Sequence, residues 1–207
     1  LWPQEGAQVL SQEEFHEFKV PGDPSSAAFW VAVSALSPLH APPVLLQSCL
    51  VNPTRTGFFK VARRMGVELE LRVSGEHLGE PVADVCVWGA PQGLKGVEVS
   101  AEEAIDCLDE LPLVALLGAL AQGHTRVVGA SELRVKESDR VEAMATLLNA
   151  LGARVIATPD GWEIEGVDRL QGGDVSSADD HRVALCGVIA QLATHGDVRV
   201  LGAESAA

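Results

Sequence analysis

An internal repeat limits what this chain can fold into more than any other feature. Asp23-Pro24 opens an apolar run, and Asp109-Glu110-Leu111-Pro112 opens a second one 86 residues further on. Met65-Gly66 and Leu151-Gly152, each closing an amphipathic stretch, are separated by the same 86. A fixed period means that one supersecondary unit is used more than once, and that its copies stack to bury faces none can bury alone. A third unit starts at Asp179-Asp180-His181-Arg182, runs through apolar residues 183–193, and reaches Val198 to Leu201, which matches Arg126-Val127-Val128; it is truncated there.

Each unit reads in one order. An acid-initiated apolar helix leads to a strand (44–50; 125–128), and a second helix follows (55–65; 139–151), ending in a Gly suited to the left-handed C-terminal cap. Two further strands complete it (67–73 and 82–88; 154–158 and 162–164), the later pair joined by a Pro159-Asp160-Gly161 turn. The fold class is therefore α/β, with a β-α-β-α-β-β unit in circular order. Val141, Met144, Ala145, Leu148 and Leu151 fall on one helical face. The first helices are apolar nearly all round, which places them inside with sheets packed outside. Residues 1–20 are polar and acidic and end at Val20-Pro21-Gly22, so they read as a strand-and-turn end of a preceding domain and a hinge, with residues 21–207 as the C-terminal domain.

Charge and composition exclude several function classes. A net charge of -14, with no basic run beyond Arg63-Arg64, offers no phosphate-neutralising face for nucleic acid. With 4% aromatics and no Tyr, a base-stacking platform is not expected either. Residues 111–121 are interrupted by Pro112 and Gly118 and fall short of the roughly 18–20 apolar residues of a membrane span. The N-terminal residues lack a signal-peptide pattern, so the expected setting is cytoplasmic. Cys49, Cys86, Cys107 and Cys186 form no C-x-x-C pair and have no His at zinc spacing, which favours reduced, buried thiols.

The densest polar constellation is Arg134-Val135-Lys136-Glu137-Ser138-Asp139-Arg140. Ser138 is the expected N-cap, with Lys136 and Glu137 in the preceding loop and Arg140 in the first helical turn. Free N–H groups and the helix dipole attract anions there, and Arg140 opposes that dipole unless an anion accompanies it. Arg182 repeats the anomaly in the third unit, although Arg55 at another helix start shows that the repeat tolerates a basic residue at that place. On spacing alone, an anion site and a solvated loop fit equally. Asp109, Glu110, Ser25 and Ser26 read as helix caps, and His181 as a hydrogen-bonded structural residue.

Leu133-Arg134-Val135-Lys136-Glu137-Ser138-Asp139-Arg140 with Met144-Ala145 and Leu151-Gly152-Ala153 resembles the signature of the 5-enolpyruvylshikimate-3-phosphate synthase family. So do Val20-Pro21-Gly22-Asp23-Pro24-Ser25-Ser26-Ala27-Ala28-Phe29, Asn52-Pro53-Thr54-Arg55-Thr56-Gly57 and Asp180-His181-Arg182, in the family's order. The resemblance implies an inside-out α/β barrel of two globular domains, each of three β-α-β-α-β-β units around buried helices. It also implies about half of such an enzyme, because the family's N-terminal phosphate-binding and phosphoenolpyruvate-holding motifs have no match here. The implied partner is the N-terminal half of the same enzyme.

The implied reaction moves the enolpyruvyl group of phosphoenolpyruvate to the 5-hydroxyl of shikimate 3-phosphate, in aromatic amino acid biosynthesis, without metal or organic cofactor. By the same resemblance Asp109 accepts a proton and binds shikimate, and Glu137 shuttles a proton at the methylene carbon. Lys136 binds the shikimate side, Arg140 and Arg182 clamp phosphoenolpyruvate, His181 relays or supports, and Glu132 contacts the sugar acid. Two other readings remain: a relative that acts on UDP-N-acetylglucosamine, against which Lys136 to Arg140 argues, and a domain that binds anions without turnover.

Overall fold

The computed structural model describes residues 20–77 and 79–206; the strand-and-turn tail expected before residue 20 lies outside them. Helix α1 (Pro24–Leu36) is followed by strand β1 (Val44–Leu50), a 3-10 turn (Pro53–Arg55), α2 (Gly57–Arg64), β2 (Glu68–His77) and β3 (Glu80–Gly89). The second unit contains β4 (Glu98–Val99), α3 (Ala101–Ile105), α4 (Leu111–Ala119), β5 (His124–Val127), α5 (Arg140–Ala150), β6 (Arg154–Thr158) and β7 (Gly161–Glu165). The third supplies β8 (Gly173–Ser176), α6 (His181–Ala190) and β9 (Val198–Leu201).

Three small sheets follow from the repeat. β1, β3 and β2 form an antiparallel sheet in that order, and β4-β5-β7-β6 form the second, with β4 parallel to β5. β8 pairs in parallel with β9. The first unit has the same opening, reduced to a single parallel bridge between Gly22 and Cys49. Gly22, Glu98 and Gly173, the residues that open these three pairings, stand 76 and 75 positions apart. The period of 86 measured between helix starts is longer because α3, opened by a Ser100–Glu103 capping box, is inserted between β4 and α4.

Helices occupy the centre. All nine residues of α4 are buried, and α4 packs against α1, α2, α5 and α6, while the sheets lie outside on β3, β6, β7 and β9. A helix apolar all round has no face for water, so its burial is its stability, at about 1.5–3 kcal/mol for each large aliphatic side chain. α1 and α6 meet the expectation only in part. Trp30 of α1 is 56% exposed, because α1 and α6 border a cleft of about 390 Å³ lined by Phe29, Trp30, Val33, Leu185 and Ile189; Val188 of α6, 55% exposed, is not part of that lining. α5 is tied outward by two contacts. Trp162, wholly buried, donates its indole N–H to the Val141 carbonyl at 2.8 Å, and Asn149 both donates to and accepts from the Val155 backbone, at 2.8 and 2.9 Å. Gly152 takes φ +83 just past the end of α5, the left-handed cap expected there.

Candidate active site

The loop from residue 128 to 140 is held from both ends. Gly129, at φ +78, donates its N–H to Asp160 Oδ2 at 2.9 Å, and Ala130 N donates to the Asp160 carbonyl at 2.7 Å. A 3-10 turn (Ser131–Val135) then buries Leu133. Arg134 staples the loop to the β6–β7 turn, donating to the carbonyls of Pro159 at 2.9 Å and Thr158 at 2.6 Å, and to Asp139 Oδ2 at 2.7 Å.

Held by Arg134, Asp139 is the residue that caps α5, accepting from Glu142 N at 3.0 Å. Ser138 was the expected cap; it instead faces α6 and donates its hydroxyl to Asp180 Oδ2 at 3.1 Å. Nor do Ser25 and Ser26 cap α1, since Asp23 accepts from Ser26 N at 2.8 Å. Asp109 and Glu110 make no cap bond at the start of α4. Their carboxyl groups are turned toward the arginines of α5 and α6.

Arg140 is the hub. It is 1% exposed, and its three nitrogens meet three carboxylates: Nε to Asp180 Oδ2 at 2.7 Å, Nη1 to Asp109 Oδ1 at 3.0 Å and Nη2 to Glu137 Oε2 at 2.6 Å. A planar guanidinium offers five donors in a fixed fork, so one arginine holds these groups in a set geometry where a lysine would not. Lys136 Nζ lies 3.0 Å from Glu132 Oε1 and 3.8 Å from Asp109 Oδ1. Arg182 donates Nη1 to the Asp109 carbonyl at 3.0 Å, with Asp109 Oδ2 and Glu110 Oε1 each at 3.7 Å.

Six of the seven residues singled out from sequence thus share one cluster: Asp109, Glu132, Lys136, Glu137, Arg140 and Arg182. His181, the first residue of α6, makes none of the cluster's ion pairs among the described residues. It lines the α1–α6 cleft beside Arg182, Asp23 and Ser25. Sequence reasoning missed what Asp180 does. This fully buried carboxylate accepts from Arg140 and Ser138 and caps α6 through Arg182 N at 2.9 Å. Burial raises its pKa, but the Arg140 side chain, the Arg182 amide and Ser138 together outweigh that and hold it below its ordinary value. Glu110 behaves oppositely: burial pushes it up, and Ser25 and Arg182 offset only part of the rise.

The arrangement has the means for two chemical tasks. Lys136, Arg140 and Arg182 form a cationic edge at the N-termini of α5 and α6, where backbone N–H groups also favour anions. Asp109 and Glu137 sit on neighbouring nitrogens of one guanidinium and remain partly accessible, so each is available to take or give a proton. Five carboxylates, Asp109, Glu110, Glu132, Glu137 and Asp180, surround these three cations, so the site is acid-rich as it stands. The four cysteines are buried and free. Burial pushes the Cys107 thiol up to about 12 and raises Cys186 as well, which makes both poor nucleophiles.

Repeated units with helices inside and sheets outside, and an arginine-held pair of carboxyls at the helix starts, define a domain of the inside-out enolpyruvyl transferase fold. The EPSP synthase (3-phosphoshikimate 1-carboxyvinyltransferase) family model matches residues 4–207, and the chain belongs to that family. It is 42% identical over 191 residues to the 3-phosphoshikimate 1-carboxyvinyltransferase of Geobacter metallireducens, a match that covers 92% of this chain and 44% of the relative. The enzyme of that name from a Synechococcus strain is 42% identical over 188 residues, 91% of this chain and 41% of the relative. Among solved structures, EPSP synthase from Acinetobacter baumannii superposes with a TM-score of 0.84 at 36% identity, over 91% of this chain and 43% of that one. The enolpyruvyl transferase NikO from Streptomyces tendae gives 0.66 at 22% identity, over 88% and 39%, and so shares the fold. The chain spans less than half the length of these relatives.

Proposed function

We propose that this chain, as residues 21–207 of one domain, supplies part of the active site of a cytoplasmic enzyme that transfers the enolpyruvyl group of phosphoenolpyruvate to the 5-hydroxyl of shikimate 3-phosphate. The observation that carries this reading is Arg140 holding Asp109 and Glu137 side by side, with Lys136 and Arg182 flanking them. The substrate carboxylate and phosphate replace Asp109 and Glu137 on Nη1 and Nη2 of the buried Arg140 and take up the charge of Arg182, which frees the two carboxyls for proton transfer. Asp109 accepts the proton of the 5-hydroxyl as its oxygen bonds to C2 of phosphoenolpyruvate, and Glu137 delivers a proton to C3. In the second stage Glu137 removes a proton from the new methyl group, the C2–phosphate bond breaks, and the double bond re-forms. Lys136 and the arginines stabilise the negative charge that develops on the phosphate. Lys136 and Glu132 hold the shikimate side, and His181 lines the approach.

Residues from the part of the family enzyme that this chain does not span complete the site. The test is phosphate release from phosphoenolpyruvate and shikimate 3-phosphate, with the chain alone and with the complementary N-terminal portion of the Geobacter metallireducens relative. Turnover is expected only in the mixture, and it should fall at least about 100-fold with Asp109→Ala or Glu137→Gln, the usual order for a lost proton-transfer group. A mixture as active with both substitutions as without them overturns the reading.

A further inference from the structure

One buried acid takes no part in the mechanism above. Glu110 is 7% exposed, and its Oε1 accepts no hydrogen bond from any described residue. That oxygen lies 3.7 Å from Arg182 Nη1, which among the described residues makes one short contact, to the Asp109 backbone carbonyl at 3.0 Å. The carboxyl borders a cavity of about 100 Å³ shared with Ser25, Arg55, Asp106 and Asp109. The groups facing it are Arg182 of α6, the Ser25 hydroxyl of α1, Asp109 beside it, Arg55 of the 3-10 turn, and the Cys107 thiol. Arg55 itself is committed to Asp23 at 3.0 Å and to Ser25 Oγ at 3.2 Å. Among the described residues, Arg182 is therefore the one cation close to Glu110 that is not already paired to another carboxylate at hydrogen-bond distance.

We propose that Glu110 is the internal counter-ion of Arg182, so that an anion captured by Arg182 displaces that charge and Glu110 takes up a proton from solvent. The inference rests on the reading that Arg182 binds an anionic substrate group. A charged carboxylate with no hydrogen bond to one oxygen is tolerated in this position only while the guanidinium balances it. When a carboxylate or phosphate neutralises Arg182, Glu110 is left as a buried charge facing Asp109, and protonation is its cheapest release. Burial already pushes it in that direction. Glu110 acts here as a positioning residue: it holds Arg182 before an anion arrives and gives it up under proton control.

The experiment follows the side-chain carboxyl resonance of Glu110 and the Nε resonance of Arg182 by NMR across pH, with and without saturating phosphoenolpyruvate. Glu110→Gln assigns the carboxyl signal, or Glu110→Asp if the first variant does not fold. Calorimetry gives phosphoenolpyruvate affinity for wild type and variant at each pH. The expected result is a Glu110 midpoint that rises when phosphoenolpyruvate is added, together with a movement of Arg182. Relative to Glu110→Gln, wild-type affinity should fall by up to about tenfold per pH unit between the free and the ligand-bound midpoints, the limit for uptake of one proton, and level off above them. If Arg182 responds while the Glu110 midpoint stays still and the two proteins share one pH profile, the inference is overturned and the functional reading stands. If Arg182 does not respond at all, its role as an anion ligand fails, and this inference fails with it.

Discussion

Asp180 and Arg140 show how much one buried pair can carry. Their side chains are 0% and 1% exposed, and the carboxylate also caps α6 and anchors Ser138. Asp180→Ala leaves a buried guanidinium short of a partner and removes a cap, so it should destabilise the fold by about 3–5 kcal/mol. Glu137→Gln, at a half-exposed partner of the same arginine, should cost under about 1 kcal/mol. Chemical denaturation of the two variants measures the contrast; equal effects would mean that the charge network is not what holds this corner. The pH dependence has a definite sign. Asp180 is held below its ordinary value of 3.8, so its contribution is complete above that pH and is lost as pH falls through the lower folded-state value. In Asp180→Asn this part of the acid sensitivity should vanish. From sequence, Asp180 is simply an acid before a helix, the commonest of caps. What makes it a pivot is Arg140, 40 positions away, and nothing local encodes that separation.

Elements were legible where one face repeats. α5 and its Gly152 cap follow from apolar spacing, and the strands 44–50 and 154–158 match the structure residue for residue. Three short elements, β4, α3 and β8, had no period long enough to read. β4 has two residues and is defined by its partner β5. The inserted α3 also explains why Asp109 stands so far from its parallel strand and reaches across to Arg140. Ser138 was misread as a cap because the sequence offers two candidates side by side, and Arg134, reaching over from the other end of the loop, selects Asp139. Gly129 is the backbone position on which the loop depends. At φ +78, a Cβ there would stand 2.5 Å from Ala101 Cα, so Gly129→Ala should lose at least about 1–3 kcal/mol from conformational strain alone. Thermal melting should register this, and under the proposed function the same variant should weaken shikimate 3-phosphate binding by shifting Lys136 and Glu132. An unchanged melt would show that α3 yields easily.

On the scale of the whole molecule, the helices are the core and the sheets the coat. The all-round apolar character of α4 announced this; the partial exposure of α1 and α6 depends on which neighbours flank them, which no single helix records. Amides of α4 should therefore exchange with solvent only through global unfolding, while the exposed strand β2, five of whose central residues face water, should exchange by local opening. Leu116→Ala at the centre of α4 should cost about 2–5 kcal/mol and raise α4 exchange rates to match. Protection of β2 equal to that of α4 would contradict the layering.

The acid-rich setting of the three site cations has a consequence for speed. Under the proposed function, a ligand of two or three negative charges approaches a molecule of net charge -14 and is repelled until it is within contact of Arg140 and Arg182. Screening at physiological ionic strength acts beyond about 8 Å and so removes the repulsion before it weakens the contact. Added salt should therefore quicken the arrival of phosphoenolpyruvate, the reverse of the electrostatic steering usual for charged ligands, and stopped-flow association rates across a salt series would show it.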